Sequence, residues 1–323
     1  MERRAAIGAL LATGIIGAGY VRAERIARVG LVFNSLPQVE VDRDLMQFYG
    51  PRVMVEALRR KGWVRGRNLE ILALSAEERY ERFAAFVDQL VALAADVIVV
   101  FGSDSAETAR ARARGIPIVD VVAFNQAPGR GSTGMVVMNP MGKRLDLLKQ
   151  LVPKARRVAL FGHAPKGHGG PEVSAEDRAQ ITRVGMTAIV LHFTTMEDLD
   201  RAFDEARRWG ADAVYMSGFP KLYWDREVQD HVLGLPAANR WPAVYENPEL
   251  AERGALIAFG PDVRTTHERA AYFIDRILKG AKPSDLPAEQ PTGFVLTLNR
   301  RTARDLGLAI PASLALQAQE IFD

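Results

Sequence analysis

The feature that most constrains this chain is an order of strands and helices that occurs twice. The first copy begins with the apolar, β-branched segment RVGLVFN (28–34), and the second begins with RVALFG (157–162). Ala-Asp precedes the third strand of each copy, VIVVFG (97–102) and AVYMSG (213–218). Amphipathic helices lie between the strands, for example at 78–96, where phenylalanine and leucine form one stripe. Near-continuous apolar strands that alternate with helices predict parallel sheets covered on both faces.

Two copies of this pattern predict an α/β fold with two doubly wound, parallel-sheet lobes. A strand, a long helix, a second strand and a short helix follow the second copy, between residues 254 and 308. We expect these elements to complete the two lobes in turn, with three crossovers near Asn139, Pro261 and Pro291. The predicted lobes are 24–138 with 262–291, and 139–261 with 292–323.

The loops that follow the strands are the expected place for a ligand. In open parallel sheets, ligands bind beyond the carboxyl ends of the strands, beside the amino ends of the helices. Two such edges that face each other would form the walls of one cleft. The candidate ligand-binding residues are Asn34, Ser35, Gly102, Ser103, Asp104, Ser105, Phe124, Asn125, Ser217, Phe219, Tyr245, Glu246 and Asp262.

The loop GSDSAE, which starts at Gly102, opens a predicted helix whose free backbone N–H groups attract an anion. Gly102 allows the backbone to approach closely, and Ser103 and Ser105 add hydroxyl donors, so a carboxylate is the expected guest. Asp104 would repel such a group. The alternative is that Asp104 or Ser105 is an ordinary N-cap, with Glu107 as the capping-box partner of Asp104.

Other side chains at the strand ends offer different chemistry. Glu246, Asn125 and Asp262 are able to accept a hydrogen bond from an ammonium or hydroxyl group, although each type is also common as a loop cap. Aromatic residues at the same ends would wall a pocket for a flat or apolar ligand, or else pack beneath a long loop. These aromatic residues are Phe124, Phe219, Tyr223, Trp224 and Tyr245.

The first 23 residues have the pattern of a secretory signal peptide. Arg3 and Arg4 precede an uncharged, small-to-apolar run, and Val21-Arg22-Ala23 fits a signal-peptidase site. The arginine pair also resembles a twin-arginine signal, so two export routes stay open; an N-terminal helix of the fold is the alternative. No later stretch approaches the roughly 20 apolar residues of a membrane span. We therefore expect a periplasmic protein with no stable membrane insertion after cleavage.

Charge and cysteine content exclude two further classes. Arg3, Arg4 and Arg22 less Glu2 account for two of the three formal positive charges, so no basic stripe remains to follow a nucleic-acid backbone. The chain has no cysteine, so neither a disulfide framework nor a lipid-anchor cysteine is expected.

Catalytic motifs are incomplete in this sequence. The five histidines form no metal-binding pair at helical spacing. The glycine-rich segment 161–172 has His168 where a phosphate-binding loop needs lysine, and no G-x-S-x-G elbow accompanies its HGG. The sequence predicts a binding protein without enzymatic activity and without a cofactor or metal.

The C-terminal segment ILKGAKPSDLPAEQPTGFVLTLNRRTARDLGLAIPASLALQAQEIFD (277–323) closely resembles the signature of ABC-transporter substrate-binding proteins of the tryptophan/tyrosine-binding type. Three further segments support the resemblance: ALRRKGWVRGRNLEI (57–71), VDVVAF (119–124) and MGKRLDLLKQLVPKARRVALF (141–161). The resemblance covers essentially the whole chain after the signal segment. It implies a type I periplasmic-binding fold with three crossovers, an extracytoplasmic location and ligand capture by lobe closure.

The chain departs from this family at the cleft. The family more often has Gly-Thr-Pro where this chain has Gly102-Ser103-Asp104, and Gly-Asp-Pro where it has Phe124-Asn125-Gln126. The second-lobe loop that often carries an aspartate falls on Ser217-Gly218-Phe219. Two carboxylates that would suit an ammonium group are thus absent. The ligand stays open between an amino acid, another carboxylate-bearing compound and a neutral aromatic compound.

The predicted function is that of a periplasmic receptor. It would bind one small molecule, carboxylate-bearing and aromatic or amino-acid-like, between the lobes, and deliver it to an inner-membrane ABC permease with a cytoplasmic ATPase. Closure would be a hinge motion at the crossovers. One alternative is a ligand-sensing protein of the same fold that signals to a membrane partner; another is an exported α/β hydrolase.

Overall fold

The computed structural model describes residues 25–124, 129–137, 139–164, 173–291 and 293–323. The predicted signal peptide and Asn125 lie outside these residues. For Ser103, Asp104 and Phe124 the structure describes the backbone only. Among the described residues, no helix is long and apolar enough to cross a membrane.

The first lobe is built on five parallel strands in the order β2-β1-β3-β4-β5. All four residues of the central strand β3 are buried, as expected for a strand with helices on both faces. Its elements are β1 (Ala27–Phe33), α1 (Gln38–Asp44), α2 (Tyr49–Arg60), β2 (Leu69–Ser75), α3 (Phe83–Ala92), β3 (Val97–Val100), α4 (Ser103–Arg112), β4 (Ile118–Phe124) and β5 (Ser132–Val137), with 3-10 turns at Leu45–Gln47 and Tyr80–Arg82.

The second lobe is built on seven strands in the order β12-β11-β10-β9-β8-β6-β7. Four of its described helices, α6, α7, α8 and α10, begin with side-chain caps; for example, Thr195 and Asp198 form a capping box at α7, which ends at Gly210 in the left-handed conformation. The elements, in chain order with α9 of the first lobe, are α5 (Met141–Leu151), β6 (Arg157–His163), α6 (Ala175–Arg183), β7 (Thr187–Phe193), α7 (Met196–Trp209), β8 (Ala213–Met216), α8 (Arg226–Asn239), β9 (Ala243–Tyr245), β10 (Ile257–Pro261), α9 (Val263–Leu278), β11 (Phe294–Asn299), α10 (Arg300–Asp305), α11 (Ala312–Ala315) and β12 (Glu320–Phe322), with 3-10 turns at Pro220–Tyr223, Pro248–Ala251 and Pro283–Asp285.

Each sheet has an apolar core on both of its faces. Phe273 and Ile274 of α9 share one core of the first sheet with Leu31 of β1, so α9 belongs to the first lobe although it follows β10 of the second. After α9 the chain returns to the second sheet. The chain therefore passes between the lobes after β5, after β10 and before β11, and the predicted fold of two doubly wound lobes with three crossovers is confirmed.

The second sheet departs from the predicted parallel arrangement at one pair of strands. β11 runs antiparallel to β10, with Ile257 opposite Leu298 and Pro261 opposite Phe294. The topology explains the reversal. β10 ends at the edge that faces the other lobe, and β11 starts at that same edge because the chain comes back from α9.

Candidate ligand-binding cleft

Loops from the two lobes touch each other at the carboxyl ends of the strands. The indole Nε1 of Trp224, in the loop after β8, donates a hydrogen bond to Oγ of Ser35, in the loop after β1, at 3.0 Å. The Trp224 ring meets Phe48 edge-on, with centroids 6.3 Å apart. Lys221 Nζ lies 2.5 Å from Glu78 Oε2 of the first lobe. The two strand edges thus face each other across a cleft, and the lobes are in contact over it.

On the first-lobe wall, helix α4 begins without a side-chain cap. Its N-cap is Gly102, at φ 126°, a conformation that favours glycine, and this residue has no side chain to accept a hydrogen bond from the first turn. The alternative that Asp104 or Ser105 is the N-cap is wrong, since the helix already starts at Ser103. The first backbone N–H groups of a helix have no intrahelical partner, and the cap residue of α4 offers them no side-chain acceptor, which is the arrangement that attracts an anion.

Two polar side chains lie beside this helix start. Ser105 is buried and its hydroxyl donates to the Gly102 carbonyl oxygen at 3.0 Å, so that hydrogen is already engaged. Asn34 Oδ1 is buried with no hydrogen-bond partner among the described residues. A methyl group at Gly102 would lie 2.9 Å from Asn34 Nδ2, so the asparagine amide packs directly against the loop.

On the second-lobe wall, Glu246 is held by a buried hydrogen-bond network. Its Oε1 accepts from Arg144 Nη1 and from the Tyr215 hydroxyl, both at 3.0 Å. The exposed fractions are 7% for Glu246, 2% for Arg144 and 0% for Tyr215. Arg144 also donates to the Phe259 carbonyl oxygen at 2.6 Å and to Asn139 Oδ1. One guanidinium thus connects the cleft wall to the ends of two crossovers.

The network favours the charged form of Arg144. Burial acts to lower the pKa of Arg144, but the Glu246 carboxylate and Tyr215 outweigh it, and the pKa is raised. Burial and the nearby Glu246 charge also raise the pKa of Tyr215, so its hydroxyl stays protonated and donates. A buried ion pair is tolerated only when further hydrogen bonds support it, and here the Tyr215 hydroxyl and the Phe259 carbonyl oxygen provide them.

The second carboxylate oxygen of Glu246 has a different environment. Oε2 accepts no hydrogen bond within the described part of the chain, and it is not sealed from solvent. A methyl group at Gly218 would lie 3.0 Å from this oxygen and 2.8 Å from the Tyr223 hydroxyl. The Tyr223 hydroxyl and Glu246 Oε2 therefore lie close to each other beside Gly218, at the ends of β8 and β9.

The remaining candidate residues mostly have structural contacts. Phe219 is buried and stacks on His163 at 5.2 Å, and Tyr245 is buried in the core that α7 and α8 cover. Asp262 caps α9, because its Oδ1 accepts from the backbone N–H groups of Arg264 and Thr265. The Ser217 backbone N–H donates to the Phe161 carbonyl oxygen at 3.0 Å. Phe124 is the last residue of β4.

Several cleft residues were not among the predicted ones. Tyr49 and Glu249 belong to different lobes, yet the Glu249 charge acts on Tyr49: partial desolvation and this charge raise the pKa of Tyr49. Glu249 is exposed, yet its pKa is raised by partial desolvation and by Asp262 and Glu252, which is typical of a side chain on a concave surface. The aromatic pair Phe48-Tyr49, at the start of α2, is the sequence signal for this part of the cleft.

Comparison with known proteins gives the family. Residues 49–322 match the family described as ABC transporter substrate binding protein. The chain belongs to this family. It is a family of binding proteins, so the chain is a solute-binding receptor and the prediction that it is not an enzyme is confirmed.

Individual relatives agree with this family and fold. A tyrosine-binding protein from Clostridioides difficile is 20% identical over 79% of this chain and 75% of the relative. The structure of a Streptococcus pneumonia ABC domain in complex with L-Trp has a TM-score of 0.77 at 18% identity, over 92% of this chain and all of that one. A ligand-free, open substrate binding protein from Clostridium difficile has a TM-score of 0.62 at 17% identity, over 92% and 99%. The predicted type I periplasmic-binding fold is confirmed.

Proposed function

We propose that this substrate-binding protein captures a small aromatic molecule with a carboxylate group in the cleft between its lobes. The Trp224–Ser35 hydrogen bond carries this proposal, because it joins the two strand edges at which parallel sheets bind their ligands. A carboxylate would bind at the uncapped start of α4 next to Gly102.

Aromatic side chains support the aromatic part of the proposed ligand. Four aromatic side chains lie at the cleft: Trp224, Phe48, Tyr49 and Tyr223. Phe101 directly follows β3, and its ring stacks on that of Phe33 with the centroids 4.5 Å apart. Such rings bury a flat ligand efficiently and leave polar atoms to orient it. The relatives named for tyrosine and L-Trp bind ligands of this size and shape.

We further propose the setting in which the receptor works. The segment 1–23 would direct export to the periplasm, and the ligand would pass to an inner-membrane ABC permease with its cytoplasmic ATPase. The first lobe would comprise 24–138 with 262–291 and the second 139–261 with 292–323. Closure would be a hinge motion at the three crossovers, stabilised by a ligand that contacts both lobes.

A thermal-shift and calorimetric screen tests the ligand class. The purified protein is titrated with aromatic amino acids, other aromatic carboxylates, aliphatic amino acids, purines and small organic acids. At about 100 times its dissociation constant, a ligand stabilises the folded state by roughly 2.7 kcal/mol, which is visible as a higher melting temperature. We expect shifts from aromatic carboxylates only. Shifts from none of them would contradict the proposal.

Two matched tryptophan variants place the binding site. Trp224→Phe removes the donor to Ser35 but keeps a ring, and should weaken ligand binding about fivefold, the value of one neutral hydrogen bond. Trp241→Phe is the control, because Trp241 packs against the core on the α7 and α8 side. Equal loss in both variants would count against binding in the cleft.

A further inference from the structure

We infer that Glu246 Oε2 and the Tyr223 hydroxyl, which lie side by side next to Gly218, form a subsite for an uncharged hydroxyl or N–H group of the ligand. This inference rests on the proposed function, since it assumes a ligand in the cleft. It deepens that proposal by naming the group that the second lobe selects.

The charge of Glu246 is balanced by Arg144. Its carboxylate is bound through Oε1 to Arg144, with both side chains buried, so the ion pair as a unit has no net charge. A ligand cation at Oε2 would meet this neutral pair and would lose its hydration without gaining a counterion. An uncharged donor has no such cost, and a hydrogen bond to an ionised acceptor is stronger than one between neutral groups.

Gly218 lies beside both polar atoms of the subsite. This glycine has no left-handed φ, so the backbone conformation does not require glycine. An alanine methyl group, however, would lie 2.8 Å from the Tyr223 hydroxyl and 3.0 Å from Glu246 Oε2. The missing side chain therefore leaves these two polar atoms uncovered, so that a ligand group is able to approach both of them from the side of Gly218.

The subsite offers a ligand one donor, the Tyr223 hydroxyl, and one acceptor, Glu246 Oε2. Desolvation of its hydroxyl and the Glu246 charge raise the pKa of Tyr223, although the side chain is partly exposed, so the hydroxyl stays protonated. This hydroxyl makes no hydrogen bond within the described part of the chain. A ligand hydroxyl donates to Glu246 Oε2 and accepts from Tyr223, and so satisfies both atoms at once. Glu249 also acts on Tyr223, but more weakly than Glu246 or Arg144.

Three indole acids that differ only at carbon 2 test the subsite: indole-3-propanoate, indole-3-lactate and L-tryptophan. They carry hydrogen, hydroxyl and ammonium at this carbon. By isothermal titration calorimetry at neutral pH, we expect indole-3-lactate to bind about tenfold more tightly than indole-3-propanoate, and more tightly than tryptophan. Gly218→Ala should bring the ratio between the hydroxy acid and the unsubstituted acid close to one, and Tyr223→Phe should lower it, because only the hydrogen bond to Glu246 Oε2 then remains.

Gly234→Ala is the matched control. A methyl group there meets no atom within 4 Å, and the tenfold ratio should remain. Tightest binding of tryptophan, or a ratio that survives both Gly218→Ala and Tyr223→Phe, would overturn the subsite while leaving the aromatic-carboxylate receptor intact. Failure of all three acids to bind would instead overturn the proposed ligand class, and the subsite with it.

Discussion

In the second lobe, Arg144 and Glu246 are buried as a hydrogen-bonded ion pair, whereas in the first lobe Asp120 and His267 are buried and form no ion pair with any described residue. Asp120 is 1% exposed and its Oδ1 has no hydrogen-bond partner among the described residues. His267 is 9% exposed, and its Nδ1 donates to the Val263 carbonyl oxygen at 2.8 Å. The second lobe thus compensates its buried charges by pairing them. In the first lobe, burial shifts the pKa values of Asp120 and His267 so that their neutral forms are favoured.

The largest effect is expected from breaking the ion pair of the second lobe. Arg144→Met leaves the Glu246 carboxylate buried and unpaired, and should lower the free energy of unfolding by about 3–5 kcal/mol. Urea unfolding followed by circular dichroism measures this loss. The double variant Arg144→Met with Glu246→Gln removes both charges and should regain most of it. A single variant as stable as the parent would contradict the comparison.

The next effect concerns His267 of the first lobe and the pH. Burial lowers its pKa to about 4, below the 6.5 of the unfolded chain. Between these two values the unfolded state binds the extra proton, so stability is full above about pH 6.5 and falls as the pH drops toward 4. The loss from this residue is about 3 kcal/mol at pH 4. Unfolding at several pH values, compared with His267→Gln, checks it; equal slopes would rule it out.

The pH dependence of stability that Asp120 causes should have the opposite sign to that of His267. Burial raises its pKa to about 7, above the 3.8 of the unfolded chain, so its contribution is lost as the pH rises from about 4 to 7. At pH 8, Asp120→Asn removes an unpaired buried charge and should stabilise the protein by about 1–2 kcal/mol, reduced because the amide also needs partners. The same variant should give no gain at pH 5. A gain that did not depend on pH would point to packing instead.

The smallest effect is expected from the ion pair that joins the lobes. The side chains of Lys221 and Glu78 are 37% and 23% exposed, so solvent screens the pair. Lys221→Met should change unfolding by less than about 1 kcal/mol and weaken ligand binding less than about fivefold. The weakening should disappear at high salt. Arg201→Met, which breaks an exposed pair within α7, is the control and should leave binding unchanged.

The strand and helix pattern predicted most of the fold but not every element. β5 was not predicted as a strand, because Gly134 interrupts its short apolar run at φ 147°. The helix α8 was not predicted, because no element was assigned between AVYMSG (213–218) and the following strand of the second copy. β11 was predicted as a strand but not as an antiparallel one, since local sequence shows a strand but not the direction from which the chain returns.

For the candidate site, the sequence indicated which loops are involved, but it did not show which contacts each side chain makes. Glu246 was predicted from its position after β9, and its neighbour Arg144 was not predicted at all. Arg144 lies on a helix with charged neighbours in MGKRLDLLKQL, where an arginine is usually exposed. Its burial depends on Phe259 and Tyr215, which are more than 70 residues away.

By itself, the amino-acid sequence determined the two-lobed α/β architecture, the family resemblance and the loops expected to form the cleft. It could do so because the spacing of apolar residues and the positions of turn residues are local properties of the sequence. Tertiary structure alone decided which side chains face the cleft, which charges are compensated and where glycine leaves space. Those properties depend on distances between residues far apart in the chain, such as Trp224 to Ser35 and Glu246 to Gly218.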